Sequence, residues 1–103
     1  MDENARKLRI RDTFWDAVGK AKAGRKDINL WLDTEERDGA LLTQVTILSP
    51  DGEFRFRLNF VVVAKDEVRA SGPKGRHMRC SLDVDSIASV IRNEIERELG
   101  PKS

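Results

Sequence analysis

From Ala40 to Val63 the chain alternates apolar and polar residues on both sides of Ser49-Pro50-Asp51-Gly52. Two such halves bury their apolar positions together as an antiparallel hairpin. Ser opens the turn, Pro presets φ and Gly closes it, which predicts a type I turn. With that tetrapeptide as the loop, Leu48 faces Glu53. The ladder then continues as Ile47 with Phe54, Val45 with Phe56, Thr43 with Leu58 and Leu41 with Phe60, all on one face. The other face carries Thr46 with Arg55, Gln44 with Arg57 and Leu42 with Asn59. A slip of one residue would bury both arginines, so the parity is strongly determined.

The segments on either side extend this frame. Upstream, Asp27 to Asp33 alternates again, with Ile28, Leu30 and Leu32 facing one way and Trp31 the other. Matching that set to the hairpin pairs Leu32 with Leu41 and Leu30 with Thr43, sets Trp31 opposite Leu42, and leaves an acidic loop around Glu35-Glu36-Arg37-Asp38. Downstream, Val61, Val62 and Val63 are apolar on both faces, so something is expected to cover the outer face there. Lys65-Asp66-Glu67 reads as a turn or bulge, Val68 to Ala70 as a short strand, and Ser71-Gly72-Pro73-Lys74-Gly75 as a loop. Arg76 to Leu82 reads as a last strand, with Met78, Cys80 and Leu82 inward and His77 and Arg79 outward.

A helix is expected at each end. Near the start, Lys7 to Arg11 is compatible with either a short strand or a helical lead-in. Asp12 is placed as an N-cap, Phe14, Ala17, Val18 and Ala21 form one stripe, and Gly24 ends the helix, giving a short helix over about Thr13 to Ala23. At the other end, Asp83 caps a helix with Leu82 and Ile87 as a hydrophobic staple. Val84, Ile87, Ala88, Ile91, Ile95 and Leu99 follow at helical spacing, and Gly100-Pro101 stops it. Docking this stripe on Phe54, Phe56, Leu58 and Phe60 at ~2 kcal/mol per large side chain would dominate stability. The fold class is thus α+β: an antiparallel meander of three to five strands, a short N-terminal helix, and an amphipathic C-terminal helix packed on one sheet face. The 103 residues form a single domain, 1–103.

Composition narrows the function classes. Nineteen basic residues against eighteen acidic leave a net charge of +1, so the total does not favour attraction to polyanions, and only a local patch could. The longest apolar run, Phe60 to Ala64, is far short of a membrane span. No apolar leader of the signal-peptide kind is present, and Cys80 is the single cysteine, so a cytoplasmic location is expected. His77 is the single histidine, and no nucleophile or carboxylate is placed beside it by any sequence signal. Cys80 alternates inward and reads as a core thiol. Asp83 and Asp85 are accounted for by capping. No spacing of His, Cys or Asp matches a metal's first shell, and Gly72-Pro73-Lys74-Gly75 lacks the context of a phosphate loop. No enzyme activity, cofactor, metal or small-molecule substrate is therefore expected.

The outer sheet face is the candidate site. It gathers Trp31, Leu42, Gln44, Arg55, Arg57 and Asn59, extending to Val61 and Val63. An apolar centre with an arginine rim describes a protein interface, possible self-association included. An aromatic ring among guanidiniums also describes a surface for single-stranded nucleic acid, with Lys74, Arg76, His77 and Arg79 as a basic finger beside it. A third reading has the N-terminal helix lying across this face, with Phe14 or Trp15 packed on Trp31. A second basic cluster, Lys20, Lys22, Arg25 and Lys26, surrounds the end of that helix. The element order is similar to that of double-stranded RNA-binding domains. That family presents lysines at the start of its second helix, whereas here the same end carries Asp83, Asp85 and Ser86, so nothing of its function carries across. The reading that results is a small non-enzymatic module that binds a protein partner or itself through the outer face. Nucleic-acid binding is the alternative.

Overall fold

A computed structural model of the chain describes residues 3–100. In chain order it contains α1 (Glu3–Lys22), β1 (Asn29–Arg37), β2 (Ala40–Leu48), β3 (Phe54–Val62), β4 (Glu67–Ser71), β5 (His77–Ser81) and α2 (Val84–Leu99). The strands form one five-stranded antiparallel meander in sequence order, so the fold is α+β.

The central hairpin turns at Ser49 to Gly52, but with a shorter loop than the simple ladder. Ser49, not Leu48, meets Glu53: the Ser49 amide donates to the Glu53 carbonyl at 2.8 Å and the Gly52 amide to the Ser49 carbonyl at 2.9 Å. The Ser49 hydroxyl accepts from the Glu53 amide at 3.0 Å. Gly52 takes φ +90°, a left-handed position that closes a three-residue loop after a type I turn. One strand position later, Leu48 faces Phe54 while Ile47 faces Phe56, so Arg55 has no partner across the ladder. Each irregularity shifts the pairing by one residue, and together they restore the expected parity. Phe56, Leu58 and Phe60 point into the core as predicted. Phe54 lies between the two irregularities and does not: it is 56% exposed on the outer face.

The first hairpin also differs in register while keeping its faces. Asp38 (φ 53°) and Gly39 (φ 79°) make a two-residue turn of the mirror-image type that suits the strand twist. β1 and β2 therefore pair as far as Arg37 and Ala40, and the expected acidic loop is strand instead. Leu32 meets Val45 rather than Leu41, and Trp31 meets Thr46 rather than Leu42. The displacement is even, so Trp31 still faces outward.

α1 begins well before Asp12. Ile10 continues the stripe of Phe14, Ala17, Val18 and Ala21, and all are buried. The residues before it, Ala5 to Arg9, are strong helix formers. Asp12 is an exposed mid-helix residue, not a cap, and the Thr13 hydroxyl donates back to the Arg9 carbonyl at 2.8 Å. The helix ends as expected near Gly24, at φ 82°.

α2 starts as predicted, with the Asp83 carboxylate accepting from the Ser86 amide at 2.8 Å. It ends at Gly100, and Pro101 lies outside the described residues. Ile87, Ala88, Ile91 and Ile95 are fully buried. Two arginines satisfy carbonyls at the helix ends. Arg92 donates to the Lys20 carbonyl at 3.2 Å and Arg25 to the Gly100 carbonyl at 3.1 Å.

Both helices contribute to a single core with the inward residues of the sheet. Phe14 packs edge-on against Phe60, with ring centroids 5.3 Å apart. Phe60 belongs to the inner face, so α1 does not lie across Trp31.

Candidate functional site

With both helices on the inner face, no described element covers the other side of the sheet. Its geometry follows from the ladder, which aligns outward residues in rows about 4.8 Å apart from strand to strand. One row runs Trp31, Thr46, Arg57. The next runs Asp33, Gln44, Asn59, Ser71, His77, and the third runs Glu35, Leu42, Val61, Arg69, Arg79.

The first row forms an aromatic end. Trp31 is 64% exposed. The Arg57 Nε donates to the Thr46 hydroxyl at 3.0 Å, and its guanidinium carbon lies 5.5 Å from the centre of the Phe54 ring. Arg57 is thus fixed between its own strand's aromatic and the neighbouring threonine, with a favourable cation–π contribution. Phe54 is the residue that sequence reasoning placed on the wrong side. Only the irregularities around the turn bring it here, and alternation alone carries no signal for them.

In the middle row, the Gln44 side-chain amide donates to the Asn59 side-chain carbonyl at 3.0 Å. This row separates Trp31 from Leu42, which stand two rows apart, about 13 Å along the strands. The expected Trp31–Leu42 anchor is therefore divided. Leu42 and Val61 are half-buried and Val63 is exposed, so the cover expected at the valine run is not supplied by the described chain.

The third row ends in charge. Glu67 lies 3.9 Å from Arg69 and 3.6 Å from Arg79, and Glu35 pairs with Arg37 at 2.9 Å. His77 and Arg79 face outward as predicted, and Lys74 is exposed in the loop. Arg76 is not available to a ligand. It donates to the Glu94 carboxylate of α2 at 3.3 and 3.2 Å, and that carboxylate is buried. The basic finger loses this member to its ion pair with α2.

The cluster at the end of α1 is dispersed as well. Lys20 pairs with Asp85. Arg25 is buried, its Nε and Nη2 donating to the two carboxylate oxygens of Asp27 at 3.0 and 2.7 Å. These contacts hold the Asp27 and Asp85 carboxyls below the usual carboxylate range and push the Arg25 guanidinium higher still. Burial pushes the Cys80 thiol up, as befits a thiol packed against the core. Trp15, 68% exposed, flanks a hollow of about 300 Å³ with Arg11, Asp12, Leu32 and Thr34 on the helix side of the sheet. It makes no approach to Trp31.

Among the described residues, no helix is long and apolar enough to cross a membrane. The class defined by this fold is a small α+β domain with one sheet face sealed by two helices and the other open. The chain matches no family model, no curated protein and no solved structure.

Proposed function

We propose that this chain is a non-enzymatic binding module that docks a protein partner, or a second copy of itself, on its open sheet face. One observation carries the reading. Trp31 and Phe54, 64% and 56% exposed, flank the ordered Arg57 on a face that neither helix covers. Large aromatics beside an arginine are the residue types that dominate binding energy at protein interfaces. Arg55, standing out at the bulge, and Asn59 and Gln44, already paired to each other, form the polar surround. Leu42 with Val61 is a second, separate apolar contact. Cytoplasmic residence is part of this proposal and rests on the single cysteine.

The test is capture from an extract of the native source, comparing wild type with Trp31→Ala, Arg57→Glu. Both positions are exposed, so the variant retains the fold. A partner held by wild type and lost by the variant supports the reading, and identical retention overturns it. For self-association, light scattering should give a dimer mass that Trp31→Ala returns to the monomer. Nucleic-acid binding is the second reading, favoured by Arg69, His77 and Arg79 sharing the face with Arg57. It requires oligonucleotide affinity that falls steeply with salt, and no binding at low salt would dispose of it.

A further inference from the structure

At the far end of the open face, Arg69 of β4 and Arg79 of β5 stand directly opposite each other. The hairpin's hydrogen bonds show how close this is. Gly72 donates to the Arg76 carbonyl and Leu82 to the Asp66 carbonyl, so the even-numbered residues of β4 and β5 exchange the ladder bonds. Arg69 and Arg79 therefore form a non-hydrogen-bonded pair, the arrangement in which facing side chains come nearest. Like charges at such a pair oppose folding. A single carboxylate, Glu67, reaches both guanidiniums, at 3.9 and 3.6 Å, and one negative charge leaves the pair with a surplus positive one.

The surroundings complete a hollow of mixed character. His77 is diagonal to Arg69 and opposite Ser71, and Ser71 in turn pairs with Asn59. A depression of about 440 Å³ is lined by Arg69, Ala70, His77, Met78 and Arg79, and it adjoins a mostly apolar one that shares Arg69 and His77 and reaches Val61 and Val63. Both arginine side chains are largely exposed, at 59% and 73%, so their planar forks are free to turn to a common ligand.

We propose that Arg69 and Arg79, with His77 beside them, form a binding site for a phosphoryl oxyanion. Paired guanidiniums match its oxygens in bidentate fashion, and its charge relieves the repulsion between them. The row holds no phenylalanine or tryptophan to stack a base, so the phosphate group is the part the two guanidiniums are built to take. It lies at the opposite corner of the sheet from Trp31 and stands or falls apart from the protein interface proposed there.

The test is titration of the full chain with inorganic phosphate, followed by amide NMR at constant ionic strength. A second arm uses a short oligothymidylate without terminal phosphates. Saturable shifts confined to residues 67–81 are expected, and Arg69→Ala, Arg79→Ala should weaken binding by about tenfold or more. Arg11→Ala, at an exposed position of α1, should leave it unchanged. Without phosphate, Arg79→Ala should melt no lower than wild type, because it removes the repulsion; this separates loss of a ligand from loss of fold. Response to phosphate alone assigns the site to free or terminal phosphoryl groups, and response to both extends it to phosphodiesters. Absence of saturable shifts with either, or full affinity in the double variant, would overturn the proposal.

Discussion

Glu94 sits in the middle of α2 with its side chain 2% exposed, and an ionised carboxylate cannot be left there without partners. Arg76 supplies two donors from the loop after β4, and Arg97 approaches at 3.6 Å from the next turn. Gly72 of the same loop fits closely against it: a Cβ there would lie 3.1 Å from the Glu94 Oε1 and 3.2 Å from the Leu58 Cδ2, so a side chain fits only where these atoms give by a few tenths of an ångström. Removing the cation strands the buried charge, whereas neutralising the acid strands nothing comparable. Arg76→Met should therefore cost about 3 kcal/mol and Glu94→Gln about 1 kcal/mol, measured from urea midpoints. Equal losses would mean that the pair is not acting as a buried charge pair. The sequence showed Arg76 only as one more basic residue in a glycine-rich loop, because nothing local reveals a carboxylate eighteen positions away waiting above it.

At the scale of elements, the turns explain both what was legible and what was not. The meander, the outward set of Trp31, Gln44, Arg57 and Asn59, and the capping of α2 by Asp83 all follow from alternation, helical spacing and side-chain chemistry. Partner residues do not, because every even displacement of an alternating strand buries the same face. Registry was settled instead by Asp38-Gly39 and by the left-handed Gly52, whose conformations set loop length. Phe54 shows the limit: two one-residue irregularities enclose it, and it alone among the phenylalanines comes out. Gly39→Ala should place a side chain at φ 79° and cost about 1 kcal/mol. A loss of about 4–8 °C in melting temperature would register it. An unchanged melting point would show that the first hairpin tolerates another turn type.

For the molecule as a whole, the decisive fact is that the helices share one side of the sheet. A stripe such as Ile10, Phe14, Ala17 and Ala21 says which side of a helix is buried, but not which side of a sheet receives it; that is settled by packing with α2. Phe14→Ala should cost about 4 kcal/mol in chemical denaturation, while Trp15→Ala, on the same turn but exposed, should be near neutral. Comparable losses would contradict the placement of α1. Acid should loosen the joins between elements. Asp27 and Asp85 have carboxyls held low by Arg25 and Lys20, so their contribution is complete above the ordinary carboxylate range and is lost as pH falls through and below it. The stability difference between wild type and Asp27→Asn should thus shrink from about pH 6 to about pH 3; a constant difference would refute the linkage. The tie from Glu94 to Arg76 also has a temporal side. A ribosome releases the loop long before it adds the residue that fastens it, so the last two strands should stay protease-sensitive on nascent chains stalled with residue 94 inside the exit tunnel, and become resistant once it emerges. Early resistance would show that this corner of the sheet sets without its clasp.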